Sequence, residues 1–423
     1  MPGLILREAA FAISATSVCA FLVLHTIRRA EYAELSVLFF IQGAALAMWL
    51  VPLSAILDAH GLRQLRPFAF ATTALAAFVS PLIFGAMADR HASPVKVLRG
   101  LALATAAAMT LASSSIAMRW NAWIVLACIQ LHALCSAPTF SIASTIVFAR
   151  LQDAQKEFGP IRAMATVGWM TGCWTVSLLG ADASALAGYS GAIVWLCVAV
   201  FTFWLPTLET PKSAEHLTWH ERLGLDALTL LKNRDHRVVF AITTTFNIAL
   251  AAFFPYTPPH MLELGLRHVT AWMSLGQVLE VIAMFSLGAL LLRWRLKWVF
   301  ALGLGLGALR FTFCATNTPL LLLGGVLLHG ASYTLVFITA QIYLEQRVDR
   351  AWRARAQALM SLMNNGVGNL IGFLGWGLWF NGCTSDQLTN WTTFWLGVAL
   401  VVIGVFTYFM IRYRGQPQSN PSV

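Results

Sequence analysis

From residue 35 onward the sequence is a succession of apolar segments joined by mostly short polar connections. A helix that crosses a bilayer needs about 20 mostly apolar residues. Twelve segments of that kind run roughly 35–57, 68–88, 96–117, 121–148, 162–181, 186–206, 237–262, 269–292, 297–315, 318–343, 354–379 and 391–412. The expected fold is an all-α polytopic membrane protein. Composition agrees: 58% of residues are hydrophobic and 11% charged, against about 45–50% and 25% in soluble domains. A soluble chain of this kind could not cover its surface with polar groups, which excludes a soluble enzyme, a nucleic-acid-binding domain and a disordered scaffold. The seven cysteines have no CxxC or zinc spacing, and most lie inside apolar runs, where Cys acts as a small hydrophobe. No disulfide framework, metal or organic cofactor is expected.

The net charge of +10 has a use in the membrane. If residue 35 enters from the cytoplasm, the inner connections carry twenty-one Lys and Arg and the outer ones four. That bias sets topology, and a missed or extra span midway would scramble it. It predicts a multi-pass protein of the cytoplasmic (inner) membrane with a cytoplasmic C-terminal tail, 413–423. The one long inner connection, 207–236, carries Lys212, Glu215, Glu221, Arg222, Lys232, Arg234 and Asp235. It divides the spans six and six, into halves 35–206 and 237–412. Such a division suggests a two-halved transporter with a midplane site. Residues 1–34 stand apart. Their apolar run 9–25 precedes Arg28-Arg29, the reverse of a secretory signal. This extension reads either as a thirteenth helix or as a start codon placed too early, with no role in transport.

Polar groups within spans are costly in lipid and point to function, or else to hydrogen bonds between helices. Arg162, Thr166 and Trp169 follow at i, i+4 and i+7, one stripe of a helix suited to a flat polar ligand. The alternative is an Arg162 at the helix start, snorkelling to the inner headgroups. Gln277 and Glu280 stand at i and i+3, and Glu280 is the only acidic residue deep within a span. A carboxylate there must be protonated, paired or facing water, which makes it the candidate proton carrier; the alternative is an ion pair with an arginine such as Arg310. His329 and Tyr333, at i and i+4, offer a proton relay and a ring. Span 4 holds Gln130, His132, Pro138 and Thr139, and span 1 holds Gln42 and Trp49. Asn364, Asn365, Gly366, Gly368, Asn369 and Gly372 in span 11 read as close helix packing.

The connection after span 2, Gly85-Ala-Met-Ala-Asp89-Arg90, resembles the G-x-x-x-D-R gating loop of the major facilitator superfamily, with His91-Ala92-Ser93-Pro94 where a further glycine is usual. Gly288 followed by Arg293, Arg295 and Lys297 is a weaker copy in the second half. Ordered matches carry a more specific likeness. They are Phe158-Gly-Pro-Ile-Arg162 through Trp169, Gly224-Leu-Asp-Ala-Leu228, Gln277-Val-Leu-Glu280, Leu309-Arg310-Phe311, Arg353-Ala-Arg-Ala-Gln357, Met363-Asn-Asn365-Gly-Val-Gly368 and Trp391-Thr-Thr-Phe-Trp395. Over about residues 36–412 the chain resembles the nucleoside:proton symporter family. That resemblance implies a twelve-helix facilitator fold and proton-driven nucleoside import. It places Arg162, Thr166, Gln277 and Glu280 in the substrate site, with Trp169 where the family has an aromatic. Three departures stand out. Ala251 and Phe254 occupy polar contact positions of span 7, leaving Asn247 as the nearest amide. Thr334 replaces an acidic residue. His329 and Tyr333 stand where the family has Tyr and Phe.

The expected substrate set is therefore Arg162, Thr166, Trp169, Gln277, Glu280 and Tyr333, with Glu280 and His329 for proton coupling and Gly85, Asp89 and Arg90 for gating. The expected partners are a nucleoside, protons and the lipid bilayer, with no nucleic acid, and the expected state is a monomer. The rival readings are transport of another small ring compound (a sugar, nucleobase or efflux cargo), uncoupled uniport, or a sensor or membrane enzyme that moves nothing. No catalytic constellation supports an enzyme.

Overall fold

The structure is a computed structural model. It describes residues 32–89, 93–152, 154–206, 218, 220, 223–349, 352–385 and 388–415, with side chains except at 80–89 and 154–156. Most of the N-terminal extension and of the long central connection, together with Arg90, lies outside the described residues. The described chain is helical nearly throughout. Its exceptions include two-residue strands, Thr384–Ser385 and Leu388–Thr389, paired antiparallel with Thr384 opposite Thr389.

Eight helices among the described residues are long and apolar enough to cross a membrane: Ala33–Ala59, Pro94–Ala117, Ala122–Phe148, Arg234–Glu263, Val269–Arg293, Leu296–Ala315, Pro319–Arg347 and Trp391–Arg412. Their ends follow local chemistry. Asn390 accepts from the Thr393 N–H at 3.0 Å and starts the last helix. Asn233 accepts from the N–H groups of Asp235 and His236 at 2.9 and 3.2 Å. Each side chain satisfies orphan donors of a first turn. Pro94 and Pro319 begin helices where a missing N–H costs nothing.

One expected boundary is corrected. The fifth apolar segment was expected to open at residue 162, but the helix runs Ala154–Leu178. Its first turns are polar and contain Pro160, so an apolar-run reading misses them, while the backbone ladder continues through them. Arg162 thus lies more than two turns inside the helix, not at its start.

The described residues fall into two compact units. The first lies within Met1–Glu215 and Phe254–Val281. Its core is the close approach of Ala33–Leu50 to Ala154–Leu178. A Cβ on Gly168 would sit 1.9 Å from the Phe40 carbonyl oxygen, and one on Gly43 2.1 Å from that of Ala165. Small residues let backbones meet where lipid supplies no hydrophobic drive. Gly168→Leu is expected to abolish a folded, monodisperse species in size-exclusion chromatography, because backbone rather than a movable side chain blocks the space. Near one end of this unit Arg66, fully buried, pairs with the Asp58 carboxylate and lies 5.4 Å from the Tyr256 ring.

The second unit lies within His216–Phe253 and Ile282–Val423. Two of its helices are interrupted by π-helical turns, Thr334–Ile338 and Leu362–Gly368. The glycines of the second interruption pack as expected: a Cβ on Gly372, just beyond it, would sit 2.5 Å from Ala251 Cβ. Asn247 donates to the Asn364 carbonyl and to Asn369 Oδ1, both at 2.7 Å, and Trp376 donates to the Ile248 carbonyl at 2.6 Å. Gly224 adopts φ +69° with its missing Cβ facing the Arg355 carbonyl oxygen at 2.4 Å, so the central-connection segment seats against the helix Arg353–Ser361 only with glycine there.

Candidate functional site

In the first unit the helix Ala154–Leu178 is docked along the segment that leads to Glu280. Asp182, just past the helix end, accepts from the Thr270 N–H at 2.8 Å and from Ser177 Oγ at 2.7 Å. Ser177 Oγ accepts from the Ala271 N–H at 3.0 Å. One turn on, Trp174 Nε1 donates to Ser274 Oγ at 3.0 Å. A carboxylate and a hydroxyl thus hold the first turn of Val269–Arg293, where the helix presents unpaired N–H groups. These bonds bring the Arg162–Thr166–Trp169 stripe to the same region as Gln277 and Glu280. Gln277 stands one turn before Glu280 on the same helix, and Arg162 lies within electrostatic reach of the Glu280 carboxyl. Thr166 and Gln277 are buried; Arg162, Trp169 and Glu280 are half-buried.

Of these residues Trp169 alone lines a cavity of about 250 Å³, while Arg162, Thr166, Gln277 and Glu280 are not among its lining; its volume is close to the small end of the range for small-molecule sites. Trp169 lines it directly, with Trp49, His132 and Phe140. The Arg162 guanidinium sits 4.5 Å from the Phe140 ring, and the His132 ring 5.0 Å from that of Trp49. The Phe254 ring lies 6.0 Å from that of Trp169. The cavity is mostly aromatic and aliphatic, with Thr72, Thr73, Ser136 and His132 as its polar groups. Trp49 and His132 were noted in the sequence separately. Phe140 carried no signal, because a phenylalanine in an apolar run is indistinguishable from core.

His329 and Tyr333 belong to the second unit. His329 Nδ1 accepts from Arg310 Nη1, since guanidinium has only donors. That bond fixes the ring proton of the neutral imidazole on Nε2. The ring stacks on Phe253 at 4.1 Å, and the Arg310 guanidinium lies 4.5 Å from Phe253 and 4.4 Å from Phe311. Tyr333, exposed, stands 6.2 Å from His329. Thr334 is fully buried and opens a π-helical turn. Such turns are frequent at functional sites, and apolar periodicity gives no sign of them. Asn247 is spent on the joint with Asn364 and Asn369. Of the gating residues, Gly85 and Asp89 fall on the helix Arg66–Asp89 without described side chains, and Arg90 lies outside the described residues. Among the described residues no group of His, Cys, Asp and Glu is arranged to hold a metal ion.

Likeness to known proteins extends over nearly the whole chain. The model of the family described as Nucleoside H+ symporter matches residues 30–418. The chain is 32% identical over 406 residues to YegT of Escherichia coli (strain K12), covering 90% of this chain and 93% of YegT. It is 26% identical over 408 residues to the nucleoside permease NupG of Escherichia coli (strain K12), covering 90% and 96%. A crystal structure of a point mutant of NupG matches with a TM-score of 0.83 at 25% identity, covering 90% of this chain and 99% of that one. A crystal structure of a D-xylose–proton symporter, at 12% identity and TM-score 0.66 over 90% and 99% of the two chains, shares the fold alone.

Proposed function

Because the chain belongs to the nucleoside H+ symporter family, proton-coupled nucleoside transport is the activity its geometry has to serve, and we propose how its residues divide that work. Arg162, Thr166 and Gln277 hydrogen-bond the nucleoside. Trp169 and Tyr333 wall its ring. Glu280 binds ligand or proton according to state, and His329, held by Arg310, supports the coupling. The observation that carries this reading is the docking of the Arg162 stripe beside the only carboxylate deep in a span, within one unit. When Glu280 is charged, Arg162 is its electrostatic partner. When it takes a proton, the guanidinium fork is released to bond a ligand oxygen. A nucleoside offers ribose hydroxyls to such donors and acceptors and a flat base to Trp169.

The architecture proposed around this site has twelve spans. The helices Arg66–Asp89, Ala154–Leu178 and Leu186–Phe201 and the interrupted stretch Arg353–Gly382 join the eight longer apolar helices to make that number. Halves 35–206 and 237–412 would rock about the site as a monomer, gated at Gly85, Asp89 and Arg90. The basic bias of alternate connections supports a cytoplasmic 207–236 and a cytoplasmic tail.

The test is radiolabelled uridine uptake into proteoliposomes, with and without an inward proton gradient. Gradient-dependent accumulation is expected. Uptake that only equilibrates would make the protein a uniporter, the reading favoured by the buried Thr334. No uptake by folded protein would overturn nucleoside as the substrate, and sugars and nucleobases would then be tried. Trp169→Ala is expected to raise KM about tenfold or more with a smaller change in maximal rate, since stacking a base on an aromatic contributes about 1–3 kcal/mol. The same assay reads it.

A further inference from the structure

The basic end of the helix Leu275–Arg293 and the start of Leu296–Ala315 take no part in the transport site. Arg293, Arg295 and Lys297 stand within five residues, and no acidic residue occurs between Glu280 and Glu345. Lys297 is committed: its Nζ donates to the Met410 carbonyl at 3.3 Å, near the carbonyl end of the helix Trp391–Arg412. Arg293 and Arg295 are exposed, and among the described residues neither has an ion pair or hydrogen bond from its side chain. Arg150 and Arg353, by contrast, each reach a glutamate.

A groove of about 760 Å³ opens beside these charges, bordered by Arg293, Trp294, Arg295 and Trp298. Its walls are Ala301, Leu302, Leu306, Leu309 and Phe406. Trp298, Leu302, Gly305 and Leu309 fall at i, i+4, i+7 and i+11, so the groove follows one face of the helix. Eleven residues span about 16 Å, and one leaflet of hydrocarbon is about 15 Å deep. Gly305 leaves its middle open, because a Cβ there would meet nothing within 4 Å. Trp294 and Trp298 are 46% and 53% exposed, as indoles at a headgroup boundary are.

We propose that this groove binds an anionic diacyl phospholipid of the surrounding leaflet. Arg293 and Arg295 hold the phosphate, for which the guanidinium fork is shaped. The two indoles sit at the level of the ester groups, and one acyl chain lies along the face opened by Gly305. Two cations with no carboxylate beside them favour an anionic headgroup over a zwitterionic one, which would bring its own ammonium to the same cluster.

Native mass spectrometry of the purified full-length protein, given phosphatidylglycerol or phosphatidylcholine, tests the site. About tenfold greater retention of phosphatidylglycerol is expected, as two juxtamembrane arginines supply. The pair Arg293→Gln and Arg295→Gln is expected to remove the preference. Gly305→Phe keeps both arginines and is expected to cut retained phosphatidylglycerol several-fold by filling the groove; Gly305→Leu replaces it if the larger ring disturbs the fold. Monodisperse elution and an unchanged helical circular-dichroism spectrum establish that each variant is folded. Equal retention of the two lipids by the unaltered protein would overturn the proposal. So would a folded position-305 variant that retains phosphatidylglycerol undiminished, since the arginines would then be a bare charge patch.

Discussion

Glu280→Gln is expected to end gradient-driven accumulation while leaving the protein able to exchange nucleoside across the membrane. A gradient of one pH unit stores about 1.4 kcal/mol per proton, enough for about tenfold accumulation of a solute carried with it. The variant's internal-to-external ratio is expected to settle at about one, whatever the gradient. Glutamine keeps the size of the side chain and its ability to hydrogen-bond. What it loses is the change of charge. Coupling needs a group that takes up and releases a proton in step with the site, and Glu280 is the one acidic residue that lies deep within an apolar segment rather than near its end. His329 is not free to replace it, since its Nδ1 already accepts from Arg310 and a proton there would break that bond. Counterflow of labelled uridine against an equal internal pool, without a gradient, should proceed at a rate near that of the unaltered protein. Accumulation retained by Glu280→Gln would remove the carboxylate from the coupling scheme and return the question to His329.

The fold was legible where one physical constraint acts alone. Segment length and apolar content located the helices, because a backbone in hydrocarbon must bond to itself over the whole membrane depth. The last expected span, 391–412, coincides with the helix Trp391–Arg412. The fifth did not begin where its apolar run begins, since the ladder of Ala154–Leu178 needs no apolar side chains in its first turns. The packing role of Gly368 and Gly372 was readable from residue size. The commitment of Asn247 to Asn364 and Asn369 was not, because it joins residues more than a hundred positions apart. The site divides in the same way. Arg162, Thr166 and Trp169 share a helix, and periodicity alone puts them on one stripe. Their meeting with Gln277 depends on Asp182, Ser177 and Trp174, polar residues that each look like ordinary loop or helix-end chemistry. Arg310 and His329 were each visible as polar groups in lipid, but not as partners, since nothing in a single sequence tells which faces of successive helices oppose one another.

Arg162→Gln is expected to lower the specificity for uridine about 10- to 100-fold, the loss of one charge-assisted hydrogen bond of about 1.5–3 kcal/mol. Arg162→Lys should recover only part of it, because an ammonium keeps the charge but lacks the planar fork and its fit over the Phe140 ring, 4.5 Å away. The pairing with Glu280 makes a sharper demand. Removing the cation alone leaves a carboxylate in the span without its partner; removing both leaves two neutral amides. If the two side chains act as a unit, the effects on equilibrium uridine binding cannot add: Glu280→Gln alone should bind uridine about as the unaltered protein does, while Arg162→Gln combined with Glu280→Gln should bind it better than Arg162→Gln alone. A coupling of about 1 kcal/mol or more is expected for residues in one charged network. Additive losses would separate the two residues, leaving Arg162 as a ligand contact and Glu280 as a proton carrier with no energetic link between them. Symport would then have to pass through the substrate itself.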